Sequence, residues 1–353
     1  MKAWGGPDRP ADDRDRTLRE LEAAGIDLDP TRSRDADDPD GPDPDHEAQP
    51  HRHPHNQSVP GEPPVIGIVG AGAVGTALGV ALDRAGWPIH AVASRDRERR
   101  ERFRSLVPGV RAFVDAVPLV EEVELVVLAV PDDAIPAVAG GLHLYGGQAM
   151  VHTSGLLGAD ALSGAMAAGT QAGSFHPLVA FADLERAVAA FHGATIAIEG
   201  DDQLLDLLAR MADVLGATPV RLAPGSKPAY HAAAVLAAGG FDALLDAIAE
   251  LGRLAGLDEA GSLAVYGPLI EQTLGNARAL GIDRALTGPA VRGDRGTIRA
   301  HLAELEARAP DVAALYARLA EREIGIAERR GTLTPEAASA LRSAADPALA
   351  RPD

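Results

Sequence analysis

The chain has 353 residues, enough for two domains of ordinary size. Its 33 Lys and Arg stand against 51 Asp and Glu, a net charge of −18. That balance excludes the basic footprint of a nucleic-acid binder and disfavours an anionic membrane surface as partner. Cysteine is absent, so disulfides, thiol nucleophiles and Cys-ligated metals are excluded too.

No stretch of about 18 uninterrupted apolar residues is present, and the first residues lack the apolar core of a signal peptide. The expectation is a cytoplasmic protein with no membrane partner. Lysine occurs only twice, as Lys2 and Lys227, so nearly every basic residue is arginine. A lone lysine beyond the first residues is therefore informative.

Residues 1–63 are rich in Asp, Pro, Arg and His and bury too little apolar surface to offset their ordering entropy. A disordered acidic tail is expected there. Its histidines His46, His51, His53 and His55 match no defined metal spacing, and no metal site is expected. A folded domain is expected over 64–224. Strand patterns fall at 65–69, 89–93, 125–130 and 149–153, with weaker ones at 172–175, 194–198 and 219–222. Helical stretches at 73–85 and 95–106 alternate with them, which predicts a doubly wound, Rossmann-like parallel sheet of the α/β class. After residue 224 the strands stop. One long helix over 227–254 and further helices at 263–280, 298–307 and 312–329 predict an all-helical domain over 225–345, for substrate binding or dimerisation. Its apolar helices fit either a homodimer interface or a buried core.

Gly70-Ala71-Gly72-Ala73-Val74-Gly75 follows the first strand and opens the first helix, the context in which G-x-G-x-x-G marks a dinucleotide site. Gly70 allows the tight turn, Gly72 the approach of the pyrophosphate, and Gly75 the packing of helix on strand. The pyrophosphate would lie on the helix N-terminus at Ala73 and Val74. The second strand ends in Ser94-Arg95 rather than the acidic residue of an NAD site, and a hydroxyl with a guanidinium suits a 2′-phosphate. The expected cofactor is NADP, as NADPH.

Ligands of such sheets bind beyond the carboxyl ends of the strands. Val130-Pro131, Thr153-Ser154 and the segment holding His176 fall there. Thr153 and Ser154 can bind cofactor or cap the following helix, and His176 is a substrate-binding candidate. Lys227 opens the helix that leaves the sheet domain, with His231 four residues on along the same face. A ketone that accepts a hydride needs a proton, and a lysine of lowered pKa can deliver it where arginine cannot. Lys227 and His231 are the expected catalytic pair. In Thr287–Asp294, Arg292 can hold a carboxylate bidentately, and Asp294 can orient it or cap a helix. Asn276 is a further substrate-binding candidate.

Together these motifs resemble a bacterial family described as a Rossmann-like domain joined to a C-terminal domain of unknown function. The residues that carry the resemblance are Gly70-x-Gly72-x-x-Gly75, His152-Thr153-Ser154-Gly155, Ser174-x-His176-Pro177, Lys227-x-x-Tyr230-His231 and Thr287-Gly288-Pro289-x-x-Arg292-Gly293-Asp294. The family is similar in plan to ketopantoate reductases, β-hydroxyacid dehydrogenases and pyrroline-5-carboxylate reductases. The resemblance implies an NADPH-dependent reductase of a small 2-oxo acid, with ketopantoate as the leading candidate substrate. In the first two groups a Lys-x-x-x-Asn pair handles the proton and the substrate; here His231 stands in the second place. Members often carry Ser-Asn where this chain has Ala238-Gly239. A non-catalytic NADP-binding protein is the alternative from another class. Imine reductase or prephenate-type dehydrogenase chemistry is the alternative within oxidoreductases, the latter because Ser-x-His-Pro resembles prephenate dehydrogenases.

Overall fold

The computed structural model describes residues 62–167, 169–223 and 225–345. The expected tail and its four histidines lie outside the described residues, residues 62 and 63 excepted. The described chain forms two compact units divided between Val235 and Leu236.

The first unit runs β1 (Ile66–Val69), α1 (Ala73–Arg84), β2 (Ile89–Ala93), α2 (Arg97–Leu106), β3 (Arg111–Phe113), α3 (Val117–Val120), β4 (Leu125–Leu128), α4 (Ile135–Gly140) and β5 (Ala149–His152). It continues with β6 (Gln171–Pro177), α5 (Leu184–Ala190), β7 (Thr195–Glu199), α6 (Asp202–Val214) and β8 (Thr218–Arg221). The eight strands form one sheet in the order β3-β2-β1-β4-β5-β6-β7-β8. Strands β1, β4 and β5 are buried along their whole length, as expected where helices cover both faces of a parallel sheet. One face packs Leu78, Leu82, Phe103 and Phe191 against the strands. The other packs Leu119, Ile135, Leu142 and Leu162.

The sheet is mostly parallel, but β7 runs antiparallel to β6. The doubly wound, mostly parallel sheet is the expected one; the reversed strand was not foreseen, because the pattern of a short apolar strand carries no direction. Strand β3 escapes sequence reading because Arg-Ala-Phe is three residues long and incompletely buried at the sheet edge.

The second unit takes over within α7 (Lys227–Ala237) and continues through α8 (Gly239–Leu254), α9 (Glu259–Leu280), α10 (Ile282–Ala285), α11 (Pro289–Arg292), α12 (Arg295–Arg308), α13 (Pro310–Arg329) and α14 (Pro335–Ala344). The single helix expected over 227–254 is broken. Ala238 adopts φ −112° and ψ −95°, outside the helical region, and Gly239-Gly240 follow. Glycine resists helical confinement on entropic grounds, which lowers the cost of a break. By length and composition alone the 227–254 stretch could cross a membrane, with a mean hydropathy of 1.6. The core of this unit gathers Ile298, Leu302, Val312, Ile324 and Leu341. Asp258, Asp294 and Thr334 cap α9, α12 and α14.

Candidate active site

The glycine turn joins β1 to α1. Gly70 has φ +106°, and a Cβ there would stand 2.3 Å from the carbonyl oxygen of Ala129. A Cβ on Gly75 would stand 2.0 Å from the carbonyl oxygen of Gly70. A Cβ on Gly72, by contrast, would enter open space. Two glycines are thus required by the protein itself, while the third leaves room for something else. Gly72 caps α1 without a side chain, and the first N–H to bond back into the helix is that of Thr76, to Gly72. The amides of Ala73 and Val74 are left for an anion. A cavity of about 270 Å³ opens here, lined among others by Gly72, Ala73, Arg99 and Arg102. This cradle fits a pyrophosphate. Arg102 was not singled out from sequence, where it reads as one more arginine of a solvated helix.

Ser94 and Arg95 follow β2 and are half-buried. Arg100 donates to the carbonyl oxygens of Ser94 at 2.7 Å and Arg95 at 3.0 Å, and Asp96 accepts from the Arg99 amide. The turn between β2 and α2 is therefore held by its own helix. Val130 and Pro131 follow β4, and Thr153 and Ser154 follow β5, at the same end of the sheet. Thr153 donates its amide to Leu128. Ser154 donates its hydroxyl to Asp132 at 2.7 Å and accepts from the amides of Leu156 and Leu157. It therefore caps the turn that follows it, not the next helix, which starts after Gly158. His152 is buried, donates Nε2–H to Gly158 and accepts the Ser154 amide on Nδ1; burial lowers its pKa. That imidazole is neutral and structural.

Lys227 is buried at the start of α7. Its Nζ donates to the Ser154 carbonyl at 3.1 Å, to the Leu157 carbonyl, and to Ser174 Oγ at 2.8 Å. Glu199 lies 3.7 Å away. Burial lowers the lysine pKa, and Glu199 opposes that shift. Three N–H groups meet three acceptors, so no donor is left over for a substrate oxygen. The amine joins the loop after β5 to β6 and α7. Sequence reading placed this lysine at the start of the helix that leaves the sheet domain but missed its partners Ser174 and Glu199. Glu199 sits on the antiparallel strand, 28 residues before Lys227, and no local motif announces it.

Beside this clamp stand His176 on β6 and Tyr230 and His231 on α7. His176 Nδ1 lies 3.0 Å from Tyr230 Oη. The rings of His176 and His231 meet edge to face, with centroids 5.6 Å apart. Gly155 makes this approach possible: a Cβ there would lie 2.4 Å from His231 Nδ1 and 2.7 Å from His176 Nε2. His231 Nδ1 is buried with no hydrogen-bond partner. The His176 pKa is pushed down to about 4, first by burial and then by the charges of His231 and Lys227. Burial pushes Tyr230 up to about 12. The arrangement sets the neutral His176 imidazole, the His231 ring and an intact phenol beside the carboxyl ends of β5 and β6.

Asn276, Arg292 and Asp294 belong to the second unit. Asn276 is exposed on α9, and Arg292 is exposed as the last residue of α11. Asp294 accepts from the Thr297 amide at 3.0 Å and hydroxyl at 2.7 Å, and these bonds hold its carboxyl below the usual range. Its side chain serves as the cap of α12, the second of the two roles its sequence allowed.

A glycine turn opening a helix, within a mostly parallel sheet ordered outward from β1, defines a Rossmann-type fold. Residues 52–177 match the Rossmann-like domain model, and residues 194–323 match a domain of unknown function, DUF2520. The chain combines a Rossmann-like domain with a DUF2520 domain, the arrangement its motifs resemble. No curated protein matches the sequence. Among solved structures, the chain is similar to a Bacteroides fragilis protein provisionally assigned as an NADP oxidoreductase, at 25% identity and TM-score 0.61, covering 74% of this chain and 98% of that one. It is similar to protein TM1727 of Thermotoga maritima at 27% identity and TM-score 0.59, covering 76% and 100%. A pyrroline-5-carboxylate reductase from Streptococcus pyogenes shares the fold at 18% identity and TM-score 0.53, covering 75% and 98%.

Proposed function

We propose that the protein is an NADPH-dependent oxidoreductase that reduces the carbonyl of a small 2-oxo acid. The observation that carries the reading is the glycine turn, where Gly72 alone of three glycines faces open space, at the same strand ends as the histidine pair. The NADP oxidoreductase of Bacteroides fragilis, similar over most of this chain, supports the cofactor. Gly70, Gly72, Ala73, Val74 and Gly75 hold the pyrophosphate, Ser94 and Arg95 the 2′-phosphate, and Val130, Pro131, Thr153 and Ser154 line the remainder. When bound, NADPH supplies the hydride.

The chain's own residues manage the oxygen. Lys227 was expected to protonate it, but its donors are engaged, so that task passes to the imidazoles of His176 and His231. Lys227 holds the loop that carries Gly155, against which both rings rest. The neutral His176 imidazole can polarise a carbonyl through its N–H without bringing charge into a site. The 2-oxo acid class rests on the likeness of the motifs to those of ketopantoate reductases and β-hydroxyacid dehydrogenases. Ketopantoate remains the first substrate to try. The exposed apolar residues of α9, including Val265, Leu269 and Leu274, support a homodimer.

A substrate screen tests the reading: NADPH consumption by the purified chain over 2-oxo acids and imines, with NADP+ reduction by prephenate as a further arm. Turnover on a 2-oxo acid supports it. Turnover on an imine alone, or none at all with tight NADPH binding, replaces it with the imine reductase or the non-catalytic reading.

A further inference from the structure

Tyr230 has no role in the scheme so far, yet it makes one specific contact. Its hydroxyl meets Nδ1 of His176 at 3.0 Å, across 54 positions of sequence, and the two rings stand at 83° to each other. Among the described residues this is the phenol's single hydrogen bond. The phenol keeps its proton, since burial pushes its pKa up to about 12. The imidazole is neutral near pH 7, because its own pKa is pushed down to about 4. A neutral imidazole carries one N–H and one bare nitrogen, and the neighbour of one nitrogen decides which. A phenol whose sole partner is Nδ1 donates to it, which places the ring proton on Nε2. That nitrogen lies against Gly155, beside the unpartnered Nδ1 of His231.

We infer that Tyr230 is a positioning residue that holds His176 as its Nε2–H tautomer, so that the imidazole offers a hydrogen-bond donor to the reacting oxygen. The last step of this inference rests on the reductase reading; the tautomer does not. The proton balance is closed. As the carbonyl carbon gains a hydride, the C=O electron pair moves to oxygen, which takes the proton from Nε2. The electrons of that N–H bond stay on the ring. Nδ1 takes the phenol proton in the same step; afterwards Nε2 takes the solvent proton that the reduction consumes, and Nδ1 returns its proton to the phenolate, which restores the starting tautomer.

The test uses the full chain labelled at its histidine ring nitrogens. The His176 signals are those lost in His176→Asn. At neutral pH the expected spectrum shows a protonated Nε2 and a bare Nδ1, and Tyr230→Phe converts it to a mixture of tautomers. In turnover, Tyr230→Phe lowers kcat about tenfold with KM unchanged, the loss of one positioned proton donor. A proton on Nδ1 in the wild type overturns the inference, as does an unchanged tautomer in a folded Tyr230→Phe. Should that variant not fold, the wild-type spectrum decides by itself. The expected tautomers in a chain that reduces no carbonyl would uphold the role of Tyr230 in holding the ring and remove the reductase reading instead.

Discussion

The amine of Lys227 donates to the hydroxyl of Ser174 at 2.8 Å, tying the first turn of α7 to the middle of β6. The contact is one of three from a buried ammonium, which sets the clamp apart from a free acid. Lys227→Met leaves two carbonyls, a serine hydroxyl and Glu199 short of a donor. Leaving buried acceptors without their donor costs about 1–3 kcal/mol, a fall of roughly 5 °C in Tm for a unit of this size. Lys227→Arg does not restore it, because a planar fork cannot meet three convergent acceptors. Thermal melts followed with kcat check this: a clamp loses both together, whereas a pure proton donor loses kcat at constant Tm.

The three glycines of the turn separate by the same logic. Gly70→Ala forces a Cβ to within 2.3 Å of a backbone oxygen at positive φ and destabilises the fold by about 1–3 kcal/mol or more. Gly72→Ala meets nothing in the protein and keeps its Tm, yet it intrudes where the pyrophosphate must approach. A tenfold loss of NADPH affinity, about 1.4 kcal/mol, is expected. Melting curves with titration of NADPH into each variant give the comparison.

The turn, its helix and the strands around them were legible because each needs only local information: a glycine spacing, an apolar run, a change of period. His176 was found by lying at a strand end, and Lys227 and His231 by the scarcity of lysine and their shared helix face; the structure brings them together. What sequence withheld is pairwise and long-range. The Glu199 approach to Lys227 depends on β7 running antiparallel, the Tyr230 contact on how α7 packs over β6, and the break at Ala238 on a backbone angle. Asp294 and Ser154 carried two readings each, and only hydrogen-bond partners separate a cap from a ligand.

Stability should depend on pH through His176. Its folded pKa, about 4, lies below its ordinary value of 6.5. Above the ordinary value both states are neutral and stability is complete. As pH falls below that value the unfolded chain binds a proton that the folded one refuses, so stability is lost until about pH 4 is reached. The buried His152 acts in the same direction. Allowing for the partial exposure of the ring, His176 contributes about 2 kcal/mol of this loss. Urea unfolding at neutral and acid pH, repeated on His176→Asn, should show a shallower acid dependence in the variant.

Helix α9 has 22 residues, of which only Ser262 is buried, while Val265, Leu269 and Leu274 are each more than half exposed. Val265 and Leu269 lie four residues apart and so share one face, an exposed apolar pair of the kind that marks a contact surface. Leu269→Glu places a charge in the face without disturbing a core, so it should convert a dimer to a monomer with its Tm preserved at high dilution. Sedimentation velocity on both proteins reads this directly, and a monomeric wild type would remove the dimer.

The central claim is that hydride passes from NADPH to a carbonyl carbon beside the histidine pair. It is tested most directly by supplying NADPH deuterated at the transferable position, with the purified chain and a panel of 2-oxo acids that includes ketopantoate, and reading product mass. The account expects a 2-hydroxy acid heavier by one deuterium, formed by the wild type and lost in His176→Asn. Absence of label from every product, with NADPH bound and intact, would contradict it.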